Sequence, residues 1–276
     1  MGIAGRNGMR EIDRALDDVG RRFGGAARET ILLENLDKHR FEIARLLEAL
    51  PGDGTALDLG GGLGVNLLVL RRLRPDARLL LVDRFREYTA DNRMGPRDVG
   101  LRLLEEAGIE VIEQDFWSSP ALPVADATCD VVSMLDVVEH LPGHPLRQLR
   151  ELHRATRRGG RCLLSGPNAV SIRKRIDLLL GRHPYIPFDQ WTGDEYHLHV
   201  REYTAVEYRM LLERCGFDDV EVVRSQAVWR TRARNRYHRG VHARLSPTTV
   251  GLYAMLALET VLPPLRHTVY CIAERR

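Results

Sequence analysis

Lysine is almost missing from this chain of 276 residues: Lys38 and Lys174 stand against 39 arginines. An arginine bias of that kind fits GC-rich coding and by itself identifies no partner. The net charge of +3 is too small to mark a binder of polyanions. Cysteine is also scarce. The four residues Cys129, Cys162, Cys215 and Cys271 show no CxxC or Cys/His metal spacing, and each sits in or beside an apolar run. They are expected as buried free thiols in a reducing cytoplasm. No apolar run approaches the roughly 20 residues needed to cross a bilayer. The first thirty residues mix Arg, Asp and Glu without an apolar stretch, which argues against a secretory signal. The expectation is a soluble protein, or at most one that lies on a membrane. With 44% hydrophobic and 29% charged residues, and with Gly and Pro in no fixed period, fibrous and disordered classes are excluded. The length suits one large domain with an elaborated cap.

From residue 55 onward, short apolar runs alternate with helical patterns, a rhythm that predicts a parallel sheet covered by helices on both faces. Strands are expected at 55–60, 78–83, 109–115, 129–136 and 160–165, each rich in Leu, Val or Ile. Helices are expected at 63–73 and 146–153, the second closed by Arg157, Arg158, Gly159 and Gly160. Ahead of this core, Ile43, Leu46, Leu47 and Leu50 make one apolar helical face that ends at Pro51 and Gly52. Thr204 and Glu207 form a capping-box pair, followed by the stripe Tyr208, Leu211, Leu212 and Cys215. Two final strands are expected at 220–227 and 268–273. The resulting division is a helical cap over 1–52, a core over 53–227, an insertion over 228–266 and a last strand over 267–276.

The most informative string is LDLGGGLG, Leu57 to Gly64, where the first strand meets the first helix. Its glycines are Gly60, Gly62 and Gly64. Such a turn lets backbone approach a ligand closely, and the helix N-terminus offers free N–H donors. A dinucleotide GxGxxG pattern would need Gly or Ala where Val65 stands, and no phosphate-binding Lys follows. Asp83 ends the second strand 23 residues after Gly60, placed to accept from both ribose hydroxyls of an adenosine. Asp115 ends the third, next to the apolar Phe116 and Trp117, so a carboxylate for an adenine amine adjoins a surface for the ring.

From LDLGGGLG through LLLVDR, EQDFW, DVVSMLDVVEHL and RRGGRCLLSGPN, the chain resembles the class I S-adenosylmethionine (SAM)-dependent methyltransferases. The resemblance covers residues 55–227. It implies a doubly wound, Rossmann-like α/β fold with a seven-stranded sheet whose last strand is antiparallel. It also implies the methionine part of SAM over Gly60 to Gly64, ribose on Asp83, adenine near Asp115 and Phe116, and a contact from Leu135. Asp58 resembles the acid that orients the methionine amine.

The fourth strand runs into Asp136-Val137-Val138-Glu139-His140, with three possible ligands at i, i+3 and i+4 at the carboxyl edge of the sheet. Two readings stand side by side. The string starts a helix and holds a loop, as in metal-free relatives. Alternatively it resembles the ExxEH group of ubiquinone-pathway O-methyltransferases and small-RNA 2′-O-methyltransferases, with Asp in place of the first Glu. The segment from His199 to Thr204 resembles a further ligand segment of the RNA enzymes. On that reading Asp136, Glu139, His140 and His199 hold Mg²⁺ or, better, Mn²⁺, and the metal lowers the pKa of an acceptor hydroxyl. Without a metal, His140 or His199 is the candidate general base.

An aromatic segment with Tyr185, Phe188, Trp191, Tyr196, His197 and His199 is expected to line the acceptor pocket. Residues Trp229 to Arg244 carry six Arg and no acid, a surface for solvent, phosphate, nucleic acid or an anionic membrane. The function expected is methyl transfer to a small-molecule hydroxyl of a sugar, polyol or natural product. An RNA 2′-O-methyltransferase and a noncatalytic SAM-fold binding protein are the alternatives; nucleic acid is the less favoured partner for want of an added RNA-binding module.

Overall fold

The computed structural model describes residues 6–85, 96–185, 199–238 and 247–276. Seven strands form one sheet: β1 (Thr55–Leu59), β2 (Arg78–Asp83), β3 (Glu110–Glu113), β4 (Cys129–Leu135), β5 (Thr156–Pro167), β6 (Asp218–Ser225) and β7 (Thr268–Glu274). Their order is β3-β2-β1-β4-β5-β7-β6. The first five run parallel, and β7 pairs antiparallel with both β5 and β6. The order reverses between β1 and β4, which opens a crevice beyond their carboxyl ends, the ligand position of doubly wound sheets.

Alternation along the buried strands feeds two cores. Leu79, Leu81 and Val131 face one side, and Leu57, Leu59, Leu80, Val82, Val132 and Met134 face the other. On the first side lie α1 (Arg6–Phe23), α3 (Leu36–Ala49), α4 (Val65–Leu73) and α5 (Arg97–Glu106). Between α1 and α3 run a short helix α2 (Gly25–Glu29) and a π-helical turn (Thr30–Glu34). The stripe Ile43, Leu46, Leu47 and Leu50 is buried here. On the second side lie α6 (Leu146–Ala155) and α8 (Ala205–Arg214), whose buried residues include Leu149, Leu152, Tyr208 and Leu212. The capping box forms: Thr204 Oγ1 accepts from the Glu207 amide at 3.3 Å, and Glu207 Oε2 accepts from the Thr204 amide at 2.8 Å. Helix α7 (Ile172–Leu179) follows β5.

Several expected boundaries are corrected. Strand β3 is shorter than 109–115, and β4 stops at Leu135 because Asp136 turns into the left-handed region at φ 53°. Arg157 to Gly160 do not close the preceding helix; they belong to β5. That strand carries extra residues between its pairings Cys129–Thr156 and Val131–Arg161, with Gly159 at φ 73°. Glycine and cations mark a bulge there, not a helix stop. The expected insertion supplies α9 (Ala227–His238) and α10 (Pro247–Val261). Trp229, Ala233 and Leu252 make a small third core, with the Trp229 indole donating to Glu259 at 2.9 Å. Asp37 of α3 accepts from Thr231 and pairs with Arg234, so α9 is joined to the N-terminal helices.

Gly64 caps α4 at φ 72°, and a β-carbon there would stand 2.5 Å from Cδ2 of the fully buried Leu104. Left-handed backbone costs a non-glycine residue about 1 kcal/mol, and overpacking adds about 1–3 kcal/mol. Gly64→Ala is expected to lower unfolding stability by about 2–4 kcal/mol in urea titration. An unchanged midpoint would contradict this packing.

Candidate active site

The glycine loop and the end of β4 lie side by side at the crevice because β1 and β4 are neighbours. A β-carbon on Gly60, at φ 76°, would stand 2.6 Å from Val137 Cγ2, so the two segments touch through the missing side chain. Asp83 points into the loop: one carboxylate oxygen accepts from the Gly62 amide and the other from the Phe85 amide, both at 2.8 Å. Asp58 lies beneath Gly61, buried, and accepts from Ser133 Oγ at 2.7 Å. Burial pushes its pKa up to about 6, with Asp83 adding to the shift and the Ser133 bond opposing it. Asp115 accepts from the Trp117 amide at 3.2 Å. Phe116 is buried, its Cζ 3.4 Å from where a Gly60 β-carbon would stand. The Arg84 guanidinium stacks 3.3 Å from the Trp117 ring centroid, giving the tips of β2 and β3 a shared flat surface. Leu135 is half-buried at the end of β4. These groups offer what a nucleoside needs: acceptors for hydroxyls, a flat apolar wall and backbone donors at a helix start.

The second half of the site is built on the 3₁₀ turn Val138–His140. Its Glu139 carbonyl accepts from the Val200 and Arg201 amides at 2.7 and 3.2 Å, which draws the His199 segment to the end of β4. As a result Glu139, His140 and His199 come together, with one ligand atom of each within 4.8 Å of the others. The two imidazole rings meet edge-on at 4.9 Å. Glu139 is 1% exposed, and its Oε2 has no hydrogen-bond partner among the described residues. Burial, then the charge of Asp136, raises its pKa well above the carboxylate range. His199 Nδ1 lies 2.8 Å from Glu202 Oε1, which leaves Nε2 as the acceptor nitrogen. Burial, with His140 and Lys174 nearby, lowers the His199 pKa to about 4, so the ring is neutral at pH 7. Glu202 is buried and also pairs with Lys174.

This chemistry fits a divalent cation. A buried carboxyl group with one unpartnered oxygen lies within reach of two imidazoles, and one imidazole is oriented through its other nitrogen by a buried carboxylate, the usual outer support of a ligating histidine. One carboxylate and two imidazoles suit Mn²⁺ better than Mg²⁺. Asp136 stands outside this trio. Its carboxylate pairs with Lys38 of α3 and accepts from Ser165 Oγ at 3.2 Å. Burial opposes ionisation of Asp136, but Lys38 outweighs it and holds its pKa below the usual value. Burial likewise opposes the charge of Lys38, and Asp136, then Glu42, outweigh it.

Lys38 and Lys174 are residues of this cluster that motif reasoning missed, and Glu202, within the His199 to Thr204 segment, had no role of its own assigned. One signal was available: the only two lysines of an arginine-rich chain both stand in this cluster. A compact ammonium can be satisfied by one buried carboxylate where a guanidinium would bring five donors. Tyr185 is exposed, with Lys174 Nζ 5.5 Å from its ring centroid. Phe188, Trp191, Tyr196 and His197 lie outside the described residues.

Residues 36–222 match the model of a family described as a methyltransferase domain. No curated protein matches the sequence. Among solved structures, phosphoethanolamine N-methyltransferase 2 of Haemonchus contortus in complex with SAM superposes with a TM-score of 0.58 at 14% identity. That match takes in 98% of this chain, which spans 57% of the nematode enzyme. A SAM-dependent methyltransferase from Archaeoglobus fulgidus gives 0.52 at 17% identity, over 88% of this chain and 98% of its own. A geranyl diphosphate C-methyltransferase from Streptomyces coelicolor, in complex with Mg²⁺, geranyl-S-thiolodiphosphate and S-adenosylhomocysteine, gives 0.53 at 13% identity, over 86% and 76%. At these identities the likeness is one of fold. The family match covers more than half of the sequence, and the chain belongs to the methyltransferase-domain family, with the fold of the class I SAM-dependent enzymes.

Proposed function

We propose that this SAM-dependent methyltransferase acts on a hydroxyl of a small molecule, a sugar, polyol or natural product, at a cation-assisted site formed by Glu139, His140 and His199. The observation that carries the reading is the meeting of the buried Glu139 carboxyl group with two imidazoles, one of them held by Glu202. SAM supplies an electrophilic methyl group on a sulfonium, and a divalent cation supplies Lewis acidity toward an acceptor oxygen. The chain's own residues do the rest. Asp83, with Asp115 beside it, orients the nucleoside over Gly60, Gly62 and Gly64, with Leu135 and Phe116 as apolar neighbours and Asp58 toward the amine. Neutral His199 would hold the cation through Nε2, with His140 as a second imidazole, and the acceptor proton would pass to solvent. Asp136, neutralised by Lys38, contributes positioning, while the buried walls limit water at the reacting atoms. The four free, buried cysteines suit a reducing cytoplasm.

Turnover of labelled SAM on pools of hydroxyl-bearing acceptors is expected to stop with EDTA and to return with Mn²⁺ more fully than with Mg²⁺. Activity indifferent to EDTA would remove the cation and leave His199 as general base. The RNA reading loses support from α9, where Arg234 is held by Asp37. A steep salt dependence of binding to short RNA would restore it.

A further inference from the structure

Helices α7 and α10 are in contact, and the Asn168 side-chain amide, ahead of α7, donates to the Pro264 and Arg266 carbonyls that follow α10. Both helices expose apolar side chains. Leu178, Leu179 and Leu180 at the end of α7 are 61%, 86% and 60% exposed, and Val250 and Val261 of α10 are 52% and 76% exposed. Between Arg244 and Arg266 the chain has one charged residue, Glu259, and it is buried against the Trp229 indole. The other acid of the two helices, Asp177, is half-buried beside Arg173. The exposed charges on or just after α7 are all positive, Arg173, Arg175 and Arg182, while Arg232 of α9 lies near both Arg173 and the exposed Glu34. Neither Arg175 nor Arg182 forms an ion pair among the described residues.

We propose that this face docks on an anionic lipid bilayer. Exposed leucine and valine side chains enter the interface, and the arginines sit at the level of acidic headgroups, the arrangement of an interfacial rather than a spanning helix. No described helix is long and apolar enough to cross a membrane. A second copy of the chain fits the face poorly, because a two-fold contact would set the arginines of α7 against one another, and the described part of that helix exposes no carboxylate to meet them. Docking would bring the methyltransferase to acceptors held at a membrane surface.

Vesicle co-sedimentation of the full chain tests the proposal without SAM or acceptor, so its outcome is independent of the proposed chemistry. The protein is expected to pellet with phosphatidylcholine vesicles containing phosphatidylglycerol, to stay in solution with phosphatidylcholine alone, and to be released by salt. Leu179→Glu with Val261→Glu, at positions too exposed to disturb the core, should weaken binding more than about tenfold, and so should Arg175→Glu with Arg182→Glu. Equal binding to both vesicle types, no binding to either, or binding unchanged in the variants would overturn the proposal. So would a dimer in sedimentation velocity that the Leu179→Glu and Val261→Glu pair dissociates, since the face would then join two copies.

Discussion

Glu139→Gln is expected to lower methyl transfer by about a thousandfold, the several kcal/mol that a bound cation contributes to a charged transition state. The substitution keeps the shape of the side chain and removes the one carboxyl group of the proposed ligand trio. Affinity for S-adenosylhomocysteine should stay within about threefold, because the place proposed for that ligand is at the glycine loop. Thermal stability should hold or rise, since a neutral amide replaces a carboxyl group whose ionisation burial and Asp136 already oppose. Initial rates with added Mn²⁺, calorimetry with S-adenosylhomocysteine and a melting curve separate the three effects. A variant that retains its rate would sink the cation reading.

That trio was only partly legible in sequence. Glu139 and His140 follow from their place after a strand of continuous apolar residues, and His199 precedes a capping box that locates its helix. Asp136 has equal credentials on paper. It is drawn away by Lys38, a partner 98 residues earlier with no local pattern linking the two. The strands β1, β2 and β4 were readable because both of their faces are buried, which favours Leu and Val at successive positions on either face. The start of β5 was not, since Arg and Gly after a helix serve equally as a stop and as a bulge. The Asp37 contacts with α9 span up to 197 residues, and nothing in either segment alone indicates them.

Asp83→Ala is expected to weaken S-adenosylhomocysteine binding at least about 100-fold. Two charge-assisted hydrogen bonds to ribose hydroxyls are worth about 1.5–3 kcal/mol each, and the Gly62 amide loses its acceptor as well. Asp83→Asn retains the volume and one acceptor oxygen and should fall between the two. Calorimetric titration measures both variants, and circular dichroism checks that the sheet persists. Binding unaffected in Asp83→Ala would place the nucleoside elsewhere and undo the assignment of the glycine loop.

The clasp of Asp37 onto Thr231 and Arg234 bears on how this scaffold can be recombined. Since α3 also carries Lys38 to Asp136, the leading helices and the segment between the last two strands form a matched pair beside the tip of β4. A chimera that takes either piece from another family member inherits half of a lock. Only transplanting both together preserves the geometry at the tip of β4.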